Sequence, residues 1–97
     1  MATYVILSKL TTESTNDLGE FRALADKVAS KIKSQCPKIK WITSYALMGR
    51  FDVIDIVEAE DPTDVEKATM IIRYYGHAVT ETMHATPWVD FLNKLSG

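Results

Sequence analysis

Ile39-Lys40-Trp41-Ile42-Thr43-Ser44-Tyr45-Ala46-Leu47-Met48-Gly49-Arg50-Phe51-Asp52-Val53-Ile54-Asp55-Ile56-Val57-Glu58-Ala59 reads as a β-hairpin. Two runs rich in β-branched and aromatic residues, Ile39 to Met48 and Phe51 to Ala59, flank a turn at Gly49-Arg50. A tight hairpin turn needs a residue tolerant of positive φ, and Gly49 supplies it. Alternation puts Trp41, Thr43, Tyr45 and Leu47 on one face of the first run. Lys40, Ile42, Ser44, Ala46 and Met48 take the other. In the second run Ile54 and Ile56 share a face with Asp52 and Glu58, and Val53, Asp55 and Val57 share the opposite one.

On both sides of the hairpin the period changes to that of a helix. Upstream, Phe21, Leu24, Ala25, Val28 and Ile32 recur at helical spacing. Asp17 and Glu20 form a capping pair at the start, and Pro37 ends the helix. Cys36 continues the apolar stripe and reads as a small core residue. Downstream, Asp61 caps a second helix, with Pro62 in its first turn and Asp64 at the positive dipole end. Val65, Ala68, Thr69 and Ile72 form its stripe, Ile71 and Tyr75 widen it, and Gly76 is placed for a left-handed C-cap.

Two more strands enclose these elements. Thr3 to Lys9 is short and apolar, as in a central strand, and a polar loop covers 10–16. His77 to Thr86 is the fourth strand. Thr86-Pro87 then caps a short terminal helix, in which Trp88, Phe91, Leu92 and Leu95 form a stripe that needs an apolar surface to lie on. The order predicts an α+β, ferredoxin-like βαββαβ fold with two helices on one face of a four-stranded antiparallel sheet. Residues 1–97 form a single domain, and 86–97 are a C-terminal helical extension.

The sheet face away from the helices is left open. It presents either Val5 and Leu7 or Tyr4 and Ile6, together with either Trp41, Tyr45 and Leu47 or Ile42 and Met48. A patch of that kind exceeds what a monomer usually exposes. The expectation is a homodimer or higher homo-oligomer formed through these faces, with partial cover by the terminal helix as the alternative.

Composition narrows the function classes. Eleven basic and thirteen acidic residues give a net charge of −2, and Lys27, Lys31, Lys33, Lys38 and Lys40 are interrupted rather than clustered. Neither nucleic acid nor a membrane is an expected partner. Cys36 stands alone and cannot form an internal disulfide, so a cytoplasmic location is expected.

The stretch Ala46-Leu47-Met48-Gly49-Arg50-Phe51-Asp52-Val53 with Val57-Glu58-Ala59, the stretch Thr80-Glu81-Thr82-Met83-His84-Ala85, and the opening Met1 to Leu7 resemble the GYD domain family. This small bacterial family is named for a glycine, tyrosine and aspartate in the hairpin. Phe51 stands in place of the naming tyrosine, and the Trp88 to Leu95 helix extends past the matching part. The resemblance implies a ferredoxin-like domain of the dimeric α-β barrel kind, without an established activity. The Gly-Arg-aromatic-Asp turn is also similar to one in the ligand-binding domains of leucine-responsive-type transcription regulators, which bind small amino acids between subunits. Their DNA-binding helix-turn-helix is not found in these 97 residues.

Two groups of residues are candidates for chemistry. In the turn, Gly49, Arg50, Phe51 and Asp52 lock the hairpin, with Asp52 accepting from turn amides and Arg50 reaching a carboxylate or an anionic ligand. In the apolar third strand, Asp55 requires a partner or a wet cavity. His84, Tyr45 and Thr82 are its possible partners if they share its face, so Asp55, His84 and Tyr45 are the candidate catalytic set. Arg50, Asp52 and Asp55 are the candidate ligand-binding set. His77 and His84 point to opposite faces of a strand, so no metal and no cofactor is expected. Trp41, Tyr45, Tyr74, Tyr75 and Trp88 read as core and interface packing. The favoured function is a small dimeric binding or regulatory module that holds a small molecule at or near the sheet. A cofactor-free monooxygenase or isomerase using Asp55 and His84 is the first alternative, and a structural partner subunit the second.

Overall fold

A computed structural model describes residues 1–14 and 17–97. The elements run β1 (Ala2–Leu10), α1 (Leu18–Gln35), β2 (Lys40–Ala46), β3 (Val53–Ala59), α2 (Pro62–Gly76), β4 (Ala78–Ala85) and α3 (Trp88–Ser96). The four strands form one antiparallel sheet in the order β2-β3-β1-β4, with the apolar β1 and β3 central. This is the expected ferredoxin-like arrangement with a third helix appended. Of the loop expected over 10–16, Thr15 and Asn16 lie outside the described residues.

The register fixes the faces. Ile6 lies opposite Asp55 on one side and Thr82 on the other, and Tyr4 lies opposite Val57 and His84. Directly opposed residues share a face. Tyr4, Ile6, Ser8, Val53, Asp55 and Val57 therefore point toward the helices, and Val5, Leu7, Ile54, Ile56 and Met83 point away.

The expected alternation of β2 fails at one residue. Trp41 pairs with Val57 but Thr43 pairs with Ile56, so Ile42 is an extra residue bulged out of the ladder. A bulge shifts the register by one and inverts every later side chain. Trp41 and Ser44 thus share the helix-covered face, while Thr43 and Tyr45 lie on the open one. Neither outward set expected for this strand is observed. The strand also stops at Ala46 rather than Met48. Residues 47–52 make a wider connection, closed by the Leu47 amide donating to the Asp52 carbonyl at 2.8 Å. In so wide a loop Gly49 does not adopt positive φ, contrary to expectation.

The core gathers Ile6 and Val57, both fully buried, with Ala59 and Ala78 of the sheet, Val65, Ala68, Ile71 and Ile72 of α2, and Ile32 and Cys36 at the end of α1. Burying one such Val or Ile side chain stabilises by roughly 1.5–3 kcal/mol. Caps set the helix starts: Asp17 accepts from the Gly19 and Glu20 amides, and Asp61 accepts from Thr63. Two expected caps fall differently. Gly76 is the last residue of α2, and His77 takes the left-handed conformation at φ 51°. Pro87 itself occupies the N-cap of α3, with no side-chain cap from Thr86.

The two main helices bind the sheet unequally. α2 lies on the strands, but among the described residues no Cα of α1 comes within 8 Å of a strand Cα. α1 instead packs on α2, where Lys27 and Lys31 both stand over the Tyr75 ring. α3 comes within that distance of no other element and has no buried residue. It does not cover the open sheet face.

Candidate functional site

The stand-off of α1 leaves a cavity of about 680 Å³ between that helix and the sheet. Phe21, Leu24, Val28 and Ile32 of α1 form its roof. Ser8, Val53, Asp55, Ser44 and Trp41 line its sheet side, and Ile72, Gly76 and Ala78 are also in its wall. The roof residues are the apolar stripe seen in the sequence. Phe21, Leu24 and Val28 remain only half-buried because the space beneath them is not filled by sheet side chains.

The polar floor is a product of the Ile42 bulge. With Trp41 and Ser44 brought to one face, the Trp41 indole Nε1–H donates to Ser44 Oγ at 2.9 Å, and Ser44 donates onward to Asp55 Oδ1. Asp55 is 7% exposed. Burial pushes its carboxyl above the usual range, and the hydrogen bonds from Ser44 and Trp41 pull part of the way back. Ser8, 3% exposed, lies diagonally across the β1–β3 pair from Asp55, and its Oγ has no hydrogen-bond partner among the described residues. Such a buried unmet hydroxyl costs about 1–3 kcal/mol. Cys36 also touches the cavity, and burial raises its thiol, so the thiolate is disfavoured there.

The structure separates the sequence candidates. Asp55 is in the cavity wall. His84 is on the same face, two strands away on edge strand β4, where it meets the Tyr4 ring edge-on at 5.5 Å and does not line the cavity. Thr82 shares the face as well, but the hydroxyl on Asp55 comes from Ser44. Tyr45 points to the opposite, open face and is 59% exposed, so the condition for its pairing with Asp55 is not met. The bulge is the reason.

The turn candidates lie together at the end of the β2–β3 connection. Asp52 Oδ2 accepts from the Leu10 amide at 2.8 Å, and the Asp52 amide donates to the Ser8 carbonyl at 2.9 Å. Asp52 therefore ties the connection to the end of β1 rather than accepting from turn amides. The Arg50 guanidinium stands over the Phe51 ring at 5.9 Å, and the Arg50 carbonyl accepts from Lys9 Nζ.

Three cavity residues were missed in the sequence as site residues. Trp41 reads as packing, Ser44 shares the strand face of Ile42 and Met48 opposite to Tyr45, and Ser8 is one polar residue in an apolar run. The spacing of Ser8 from Ile6 put the two on one face, which was a usable signal. No local signal marks Ile42 as the bulged residue.

A second feature is a surface. The open sheet face carries Val5, Leu7, Ile54, Ile56, Tyr45 and Met83, and α3 exposes Trp88, Val89, Phe91, Leu92 and Leu95. Among the described residues no helix is long and apolar enough to cross a membrane.

Comparison with known proteins agrees with this architecture. The model of the GYD domain matches residues 4–94, and the chain belongs to that family. A relative from Thermus thermophilus, named glutamine synthetase and cystathionine beta-lyase binding protein, is 27% identical over 95 residues, covering 98% of this chain and 99% of the relative. A solved structure described as the crystal structure of FFRP-DM1 is similar with a TM-score of 0.57 and 26% identity, covering 89% of this chain and all of that one.

Proposed function

We propose that this member of the GYD domain family is a non-catalytic binding module that works between protein subunits. It pairs with a second copy through the open sheet face, reaches its partner with α3, and holds a small molecule beneath α1. The observation that carries this reading is α3. A helix of nine residues (Trp88–Ser96) is not stable alone in water. None of its residues is buried and no Cα of it comes within 8 Å of another described element, so a second molecule is needed to cover its apolar stripe. The open sheet face of another copy has matching apolar character. The name of the Thermus relative, a binding protein for two enzymes, supports a role in protein association.

Sedimentation velocity tests the reading. The full chain is expected to sediment as a dimer or larger assembly, and a chain ending at Pro87 to shift toward monomer. A full chain that stays monomeric at high micromolar concentration overturns it.

A cofactor-free enzyme using Asp55 has the cavity in its favour. The partners expected for Asp55 are not beside it, since His84 does not line the cavity and Tyr45 lies on the other sheet face. That absence favours the binding module.

A further inference from the structure

We propose that the cavity beneath α1 takes a compact, largely apolar molecule with one hydroxyl group, an alcohol or a phenol, whose oxygen sits between Ser8 and Asp55. This deepens the small-molecule part of the proposed function and rests on it. Two independent features of the cavity select the ligand.

The first is the wall. Phe21, Leu24, Val28, Ile32, Val53 and Ile72 give it an apolar lining. The polar side chains are confined to Ser8, Ser44, Asp55, Lys33, the Cys36 thiol and the Trp41 indole, and Lys33 belongs to the exposed side of α1. A ligand with many polar groups would leave most of them without partners.

The second is the pairing left open on the floor. Ser44 already accepts from Trp41 and donates to Asp55. A carboxylate offers about four acceptor sites, so Asp55 retains capacity after Ser44 and Trp41 are counted. Ser8 has a hydroxyl with no partner among the described residues. Ile6 faces Asp55 and Ser8 faces Val53, so the two polar residues are diagonal neighbours on one face, with Cα atoms about 7–8 Å apart. One small group can bridge side chains at that spacing.

Only a group that both donates and accepts matches the pair. A hydroxyl donates to Asp55 and accepts from Ser8. An ammonium has no acceptor for the Ser8 proton. An ionised carboxylate has no donor for Asp55 and brings a second negative charge beside it.

The test is an NMR titration of the full chain with 4-butylphenol, butylbenzene and 4-butylbenzoate, following the Trp41 indole N–H that donates to Ser44. The phenol is expected to bind about tenfold tighter than butylbenzene, the equivalent of about 1.4 kcal/mol, and the benzoate more weakly than either. Ser8→Ala is expected to reduce the phenol's advantage over butylbenzene to about threefold or less. Phenol binding no tighter than that of butylbenzene overturns the hydroxyl assignment but leaves the cavity as a small-molecule site. If none of the three probes moves the Trp41 signal, or shifts arise only on α3 and the open sheet face, both the assignment and the small-molecule part of the proposed function fail.

Discussion

Ser44 donates its hydroxyl to the carboxylate of Asp55 across the β2–β3 pair, and the two meet because Ile42 is bulged out of the strand between Trp41 and Thr43. Without the bulge Ser44 would point to the open face, and Thr43 would stand opposite Asp55 in its place. Ser44→Ala is therefore expected to destabilise by about 1–3 kcal/mol, since it leaves a buried acceptor unmet. Urea unfolding measures this. Ser44→Ala on an Asp55→Leu background, where no carboxylate remains, should cost much less. Equal costs on both backgrounds would mean that the pair is not coupled.

Asp55 also gives a pH dependence. Burial raises its carboxyl above the usual 3.8, so the native state holds the proton more tightly than the unfolded chain. For a group of this kind the stability contribution is full below the unfolded value and is lost as pH rises through the folded one. Asp55→Asn removes the titration. The stability advantage of the variant over the parent should grow as pH climbs from about 4 and level off once native Asp55 is ionised. Thermal melts at several pH values check this, and an advantage that does not change with pH would contradict it.

Asp52 holds the β2–β3 connection to β1 through the Leu10 amide. Asp52→Ala is expected to cost about 1.5–3 kcal/mol, the range for a hydrogen bond to a charged group. Asp52→Asn keeps an acceptor and should recover much of that loss. Hydrogen exchange at the Leu10 amide is the local readout, and protection should fall in the alanine variant.

The end of α2 offers a stabilising exchange. His77 holds a left-handed backbone that glycine adopts without penalty, while Gly76 sits inside the helix. A Cβ at Gly76 would meet Val28 Cγ2 at 3.4 Å, an ordinary contact. Gly76→Ala combined with His77→Gly is expected to stabilise by about 1 kcal/mol, read as a higher urea midpoint. A drop would show that the contact between His77 Nδ1 and Glu13 Oε2, 3.2 Å apart, outweighs backbone strain.

Charge on the stripe of α3 separates association from folding. Leu92→Asp and Leu95→Asp remove apolar surface that is not buried within the described chain. Each should leave the urea midpoint of the dilute protein within about 0.5 kcal/mol of the parent while weakening self-association in sedimentation. A large loss of stability in dilute protein would place α3 against its own domain.

Local chemistry in the sequence was enough for the order of elements, the helix starts at Asp17 and Asp61, and the central places of β1 and β3. Alternation, helical spacing and capping act over a few residues, and each left its mark in the chain. The same rules put Asp55 on the face of Val53 and Val57 and identified it as the buried acid in need of a partner. Its partner was not legible, because choosing Ser44 over Tyr45 depends on one unpaired residue, and pairing is a property of two strands. The αL residue fell on His77 rather than Gly76 by a margin of one position, within which short-range signals do not discriminate. The cavity and the isolation of α3 were out of reach for a further reason. Both depend on distances between elements far apart in the chain: how far α1 stands from the sheet, and whether α3 folds back on it. Val5 and Leu7 on the open face are one of the two arrangements expected for β1, the bulge changed what β2 adds to it, and the terminal helix of the same chain does not cover it.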